Sequence, residues 1–469
     1  MSTELTYSDA TKLAELIRTR EVSPVEVMKA HLDRIEAVNP KVNAIVTIAD
    51  DALESARSAE SAVLRGDQLG PLHGVPFTAK DSIDTAHVLT QRGSPIFKGR
   101  LPETDATSVA RMKKAGGILL AKTNLPEFSY GIESDNLLSG RTNNPWDPTL
   151  TPGGSSGGES AAIAAGMSPL GLGTDLAISL RGPAAHTGIV SLKATHGRVP
   201  MTGIWPRVPR RFWHVGPMAR SIRDLALAFS QLAGSDGLDG YSSSSVPFDA
   251  GVGGSNRRPL RVGWLVEPGF GPIDDEVAVT VEAAAEALKG FGHSVEPVRI
   301  PALERDSALD VFLRLHVLEM KPAVEEATAG RSDAEISNMA RFMLSLPDTP
   351  MKEYIDAEQA AERLKDGYAA YFQKYDVLLT PVLPVPAFEH GQAELLINGQ
   401  TVNVMGIMSA TSPLNVTGLP GVSMRFGTSK KGVPINIQIV GSWQAESTIL
   451  HVASLLEQIS PVRDLHPNL

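Results

Sequence analysis

The sequence contains no cysteine among its 469 residues. Disulfide bonds, thiolate metal sites and a cysteine nucleophile are therefore excluded together. Basic residues are in the minority, 43 Lys and Arg against 53 Asp and Glu, for a formal charge of −10. That balance repels a phosphate backbone, so nucleic acid is not an expected partner. No stretch reaches the about 18 consecutive apolar residues of a membrane span. The longest weakly polar run, "AAIAAGMSPLGLG", is broken by glycine. The opening "MSTELTYSDA" has neither the basic nor the apolar part of a secretory signal. A cytoplasmic protein without a membrane partner is the expectation. Histidines and carboxylates do not group at metal-ligand spacing, so neither a metal nor a cofactor is expected.

What is present suits a soluble enzyme. Hydrophobic residues make up 42% and charged ones 20%, enough for a large core without covalent staples. "SPVEVMKAHLDRIEA" reads as a helix opened by a capping box, Ser23 to Glu26, with Pro24 at its first position. Val25, Met28, Leu32 and Ile35 then share a face. From about 70 to 235, short apolar pieces alternate with Gly, Pro, Ser, Thr and Asn, the pattern of strands feeding many loops. Residues 235–259, poor in hydrophobics and rich in Ser and Gly, read as a long surface loop. "LRVGWLV", "DDEVAVTVEAAAEALKGFG" and "HSVEPVRI" then form a strand–helix–strand unit, which predicts parallel neighbours in a sheet. Residues 303–375 read as mainly helical, and "DVLLTPVLPVPAF" returns to a strand.

The stretch "TPGGSSGGES", residues 151–160, sets two serines between glycine pairs. Composition alone makes it a linker. Gly153 to Gly157 also satisfies G-x-S-x-G, but that nucleophile elbow needs an apolar strand before it, and "NNPWDPTLTP" is not one. "GLGTDL" has Leu176 where a dinucleotide loop has its third glycine. A further reading joins separate segments: "GVPFTAKDS" with Lys80, "TPGGSSGGESAAIAAG" with Ser155, and "GLGTDLAISLRGP" with Ser179. A serine hydroxyl is a weak nucleophile until a base removes its proton, and a neutral lysine in an apolar setting is able to act as that base. Taken by itself, a lysine beside Asp81 reads as a salt bridge.

These segments resemble the amidase signature family. The resemblance extends to "LHGVPF", "AKTNLPEFSYG", "TNNPWDP", "LKATHGRVPMTG", "HVGPMARSIRDLAL", "NVTGLPGVSM" and "GVPINIQIVG", covering nearly the whole chain. It implies an α/β fold, a mixed central sheet surrounded by helices, as one amidase domain over 1–469 with 303–375 as a helical cap. It implies Ser179 as nucleophile, Lys80 as base, and Ser155 as the bridging serine, reached through a cis peptide from Gly154. By the same resemblance the N–H groups of Leu176, Ala177, Ile178 and Ser179 form the oxyanion hole. Asp175 and Arg181 brace that turn and Ser156 supports the relay. Ala177-Ile178 stand where the family has two small residues, often Gly-Gly. A β-branched residue resists positive φ, so this departure predicts an altered loop geometry or a narrowed acyl pocket.

The reaction implied is hydrolysis of an amide C–N bond through an acyl-enzyme. Phe128, Tyr130, Ile178, Trp205, Phe212, Trp213 and His214 are the expected pocket residues, which favours a neutral apolar or aryl amide such as an anilide or aryl urea. The alternative is an amidotransferase A-type subunit releasing ammonia from glutamine, placed second. A catalytically idle scaffold subunit is the third reading. His73, His186, His196 and His214 are read as structural or pocket groups. The expected partner is a small-molecule amide, and the expected self-assembly is a homodimer.

Overall fold

The computed structural model describes residues 2–243, 248 and 258–469. Its strands run, in chain order, β1 (Ile45–Ile48), β2 (Pro76–Lys80), β3 (Ile118–Thr123), β4 (Leu170–Asp175), β5 (Val190–Lys193), β6 (His214–Ala219), β7 (Arg261–Trp264), β8 (Ser294–Pro297), β9 (Val377–Pro381), β10 (Glu394–Ile397), β11 (Gln400–Asn403), β12 (Gly421–Thr428) and β13 (Pro434–Gly441). Among the described residues, eleven form one sheet in the order β1-β3-β2-β4-β6-β5-β12-β13-β9-β7-β8, and β10 and β11 make a separate hairpin. β3, β2 and β4 run parallel, as do β9, β7 and β8, while the strands between them pair antiparallel. The expected α/β class with a mixed central sheet surrounded by helices is what the chain adopts.

Local signals account for several elements. The helix Pro24–Val42 opens on the Ser23–Glu26 capping box, which satisfies amides that the first turn leaves unpaired. Its buried face is Val27, Met28, His31, Ile35 and Val38, turned from the expected one: Val25 and Leu32 are only partly buried. His31 is taken in because its Nδ1 bonds the Val27 carbonyl one turn back (2.9 Å). The strand–helix–strand unit is β7, the helix Asp275–Lys289 and β8, paired parallel as expected. Residues 303–375 contain the helices Ala308–Thr328, Asn338–Ser345 and Met351–Phe372. "GLGTD", weighed above as a loop motif, is the end of β4. Of the stretch 235–259, residues 244–247 and 249–257 lie outside the described residues.

The sheet positions chemistry through β2 and β4. Parallel neighbours deliver their carboxyl ends to the same edge, where loops meet. Thr78 and Ala79 pair with Gly171 and Leu172, so Lys80 and Thr174 emerge side by side. Beneath them the buried Glu159 accepts hydrogen bonds from Thr78 of β2 and from Thr123 of β3 (2.8 Å). Its carboxylate fills the space above Gly171, where an added Cβ would lie 1.9 Å from Oε1.

Gly171→Ala therefore forces Glu159 off its threonines. Overpacking of this kind costs about 1–3 kcal/mol or more. Gly406→Ala, where a Cβ meets nothing within 4 Å, is the control, expected within about 0.5 kcal/mol of wild type. Urea unfolding of both variants checks this, and equal stabilities would contradict the wedge role of Glu159.

Candidate active site

Lys80 ends β2 fully buried. Its Nζ lies 2.6 Å from Ser155 Oγ and donates to Thr174 Oγ1 at 2.9 Å. Burial pushes the amine well below the ordinary lysine range, against the opposing pull of Asp175 and Glu159. A neutral amine keeps a lone pair able to take a hydroxyl proton. The adjacent Asp81, read from sequence as a salt-bridge partner, instead accepts from Gln91 N (2.9 Å) and couples to a different lysine, Lys122. Asp81 lies just past the end of β2, where the chain turns away after Lys80.

Ser155 follows a cis peptide from Gly154. The loop is held tightly. An added Cβ on Gly154 would sit 2.6 Å from Glu133 N, and one on Gly153, itself at φ 83°, would sit 3.0 Å from Pro183 Cα. Only glycine allows such approach and such a φ. Ser134 pins the loop from outside, donating to the Gly153 carbonyl (3.1 Å) and accepting from Gly157 N (3.0 Å). Ser156 clamps it to β4, donating to Thr174 O (3.2 Å) and accepting from Thr174 N (3.3 Å). The small-residue helix Gly157–Ala164 then runs beneath the sheet edge.

Ser179 lies in the turn between β4 and the helix Arg181–Thr187. The Gly153 contact with Pro183 packs the Ser155 loop against the start of that helix. Asp175 and Arg181 brace the turn as a fully buried pair at 3.0 Å. Asp175 accepts from Leu180 N (3.0 Å), and Arg181 donates to Ala177 O (3.0 Å), Thr411 O (2.8 Å), Gln438 (3.0 Å) and Asn415 (2.6 Å). Burial alone would raise the Asp175 carboxyl; Arg181, Leu180 N and Asn415 outweigh it and hold the group below its usual range. Among the described residues, no protein acceptor pairs with the N–H groups of Ala177, Ile178 or Ser179. These donors are available to an oxyanion. None of residues 176–179 has positive φ, so Ile178 fits its backbone without cost. Its side chain lies over Gly182, where a Cβ would come within 2.5 Å, and also lines the cavity at Ser179.

That cavity is narrow, about 40 Å³. Tyr130, Ile132, Phe312, His316, Met339 and Met408 are among its walls, and none of its lining residues is Lys, Arg, Asp or Glu. Of the expected pocket residues, Tyr130 and Ile178 line it; the other five are placed elsewhere. Phe128, at φ 58°, turns its ring into a cluster with Phe97 and Trp205, capped by the Arg92 guanidinium. Phe212 stands behind the wall, edge-on to Phe312. Trp213 is buried away from the cavity. His214 bonds Phe212 O (2.8 Å) and Lys193 Nζ (3.3 Å). His73, His186 and His196 also lie off the cavity; His73 bonds Ala59 O (3.0 Å), and the rings of His186 and His196 pack on Phe388 and His214. Sequence reasoning missed Thr174, Ser134 and Asn415, and it read 303–375 as a helical cap without naming Phe312, Leu313, His316 and Met339, which that segment brings to the wall. Among the described residues, no cluster of His, Asp and Glu could hold a metal, and no helix is long and apolar enough to cross a membrane.

Residues 26–450 match the Amidase family. The chain belongs to that family, whose members act on C–N bonds as hydrolases or amidotransferases. The A subunit of the glutamyl-tRNA(Gln) amidotransferase of Carboxydothermus hydrogenoformans is 34% identical, over 99% of this chain and 100% of that protein. Among solved structures, one described as a vestigial complex bearing on the origins of an s-triazine catabolic enzyme superposes with a TM-score of 0.90 (30% identical; 96% of this chain, 98% of that one). A 6-aminohexanoate cyclic dimer hydrolase gives 0.88 (30% identical; 99% of each). A bacterial aryl acylamidase of the amidase signature family also gives 0.88 (27% identical; 97% and 96%).

Removing one partner of a buried ion pair leaves a charge without compensation, at about 3–5 kcal/mol. Arg181→Met is expected to lose stability of that size. Lys12→Met, at an exposed pair with Glu15, is expected to lose almost none. Urea denaturation of the two variants distinguishes a structural brace from a decorative contact.

Proposed function

We propose that the chain hydrolyses the C–N bond of a neutral amide through an acyl-enzyme on Ser179. Lys80, uncharged through burial, takes a proton from Ser155 across their 2.6 Å contact, and Ser155 takes the proton of Ser179. The Ser179 oxygen then attacks the amide carbonyl. The developing oxyanion is received by the N–H groups of the 176–179 turn, held in place beforehand by Asp175 and Arg181. Returning the proton through Ser155 to the leaving nitrogen breaks the C–N bond, and water hydrolyses the ester by the same relay. The segment 303–375 acts as the cap: its helices Ala308–Thr328 and Asn338–Ser345 supply Phe312, Leu313, His316 and Met339 to the wall. A free volume of about 40 Å³ requires that wall to shift for substrate, which unbranched methionines accommodate.

The observation that carries the neutral-substrate reading is the uncharged lining. Glutamine would bring an α-ammonium and an α-carboxylate, and burying them without partners is costly. The second reading, one component of a glutamine-using amidotransferase, is supported by the curated relatives. The matching proteins of Carboxydothermus hydrogenoformans and Bdellovibrio bacteriovorus both carry that description. The comparisons support it better than they support an aryl amide, which reverses the order expected from sequence motifs alone.

A panel of anilides, aryl ureas, aliphatic amides and glutamine, assayed with the purified chain, separates the two. Turnover of neutral amides with kcat/KM at least tenfold above glutamine is expected; glutamine as the best substrate, or activity only with added subunits, would overturn the neutral-amide reading. A fluorophosphonate adduct is expected on Ser179 and absent in Ser179→Ala, and an adduct on Ser155 or Ser156 would reassign the nucleophile. Lys80→Ala is expected to lower kcat/KM by about 10²–10⁴-fold. Activity requires the neutral amine, so kcat/KM rises with pH as Lys80 deprotonates and levels off below the ordinary lysine range. An acid limb that persists unchanged in residual Lys80→Ala activity would assign the base elsewhere.

A further inference from the structure

Tyr130 and His316, from segments far apart in the chain, meet on the wall of the Ser179 cavity. The Tyr130 hydroxyl lies 3.1 Å from His316 Nε2, and His316 Nδ1 lies 2.8 Å from the carbonyl of Phe312. A carbonyl only accepts, so Nδ1 carries the imidazole proton and Nε2 presents a lone pair. The tyrosine must then donate to Nε2. The Phe312 ring, stacked on the imidazole at 4.1 Å and 4°, keeps the ring from turning. With its one proton committed, the Tyr130 oxygen has only acceptor capacity left. Burial holds His316 down at about 4 and Tyr130 up at about 12, so the pair stays uncharged at neutral pH. Apart from Ser129 and Ser179, these are the polar side chains on an otherwise apolar wall.

We infer that the Tyr130–His316 pair reads the substrate, accepting a hydrogen bond from an N–H or O–H group that the amide carries beyond its reacting carbonyl, and so selects donor-bearing amides over isosteres without the donor. His316 is the positioning residue, since it dictates that Tyr130 accepts rather than donates. The inference rests on the reading of this cavity as the substrate pocket. A site built to pair a polar group on its ligand discriminates far more strongly than a pocket that only measures volume.

The test uses matched anilides in which a hydroxyl is replaced by a methyl, one pair differing on the aniline ring and one at the end of the acyl chain. A third pair compares a 4-acetyl with a 4-isopropyl anilide, an acceptor against its isostere. kcat/KM is measured for the active enzyme, and Kd by calorimetry in a Ser179→Ala background. The wild-type pocket is expected to favour the hydroxyl member of at least one pair tenfold or more, and Tyr130→Phe to cut that ratio at least fivefold. In His316→Phe the tyrosine proton is released, so the hydroxyl preference falls and the acetyl-to-isopropyl ratio rises at least threefold. A loss of packing alone would lower all members together and leave the ratios unmoved. Hydroxyl ratios near one in wild type, or unchanged in Tyr130→Phe, overturn the inference. If Kd ratios respond to Tyr130→Phe while no anilide is cleaved, the pair stands and the hydrolytic reading fails. Normal cleavage with unmoved ratios fails the pair alone, and neither binding nor cleavage of any member overturns both.

Discussion

The amine of Lys80 is fully buried, and much of the surrounding architecture answers to that constraint. A buried ammonium is penalised by several kcal/mol unless a counter-charge meets it directly. Here its nearest partners are the hydroxyls of Ser155 and Thr174. Hydroxyls satisfy a neutral amine without restoring its charge. The carboxylates that could have done so are engaged elsewhere, Asp175 by Arg181 and Glu159 by Thr78 and Thr123. Burial also raises Glu159 to about 7, which weakens its pull on the lysine. Withholding a salt bridge thus favours the uncharged amine.

The second buried cation follows the opposite rule. Arg181 is fully paired, with Asp175 and with oxygens of Ala177, Thr411, Asn415 and Gln438. These partners lie on β4, in the turn after it, in the helix Ser412–Thr417 and just before it, and on β13. One planar fork therefore ties the turn carrying Ser179 to distant parts of the chain, a geometry suited to guanidinium rather than ammonium. Under the proposed mechanism rigidity there matters, because N–H groups that receive an oxyanion have value only if their positions are set before a substrate arrives.

Around this shared machinery, the helices of the 303–375 segment supply much of the wall. The chain resembles relatives described as amidotransferase subunits and solved structures described as a cyclic dimer hydrolase and an aryl acylamidase. A chain can keep the strand ends, the glycine-flanked serines and the buried pair while changing which side chains a few helices present. The fold is then held in common, and under the proposed function substrate choice falls to the wall where Phe312, His316 and Met339 meet Tyr130 and Ile178.

Elements with strong local signals were legible in the sequence. The Ser23–Glu26 capping box, the periodic helix Asp275–Lys289 and the mixed α/β pattern depend on contacts within a few residues, and local chemistry specifies them. So do the glycines flanking Ser155 and Ser156, whose lack of side chains announces a close approach. The amidase resemblance added Lys80, Ser155, Ser179, Asp175 and Arg181 as a set, and the structure brings Lys80 to Ser155 and pairs Asp175 with Arg181. The pocket was legible only in Tyr130 and Ile178 and in the segment 303–375 as a whole. Phe128, Trp205, Phe212, Trp213 and His214 are near the motifs in sequence, yet burial in neighbouring clusters takes their rings away from Ser179, while Phe312 and His316 arrive from more than a hundred residues downstream. Which partner Lys80 meets, which tautomer His316 holds and which rings face Ser179 are decided by packing between elements distant in the chain. That packing is a property of the folded whole, and no spacing along the sequence encodes it.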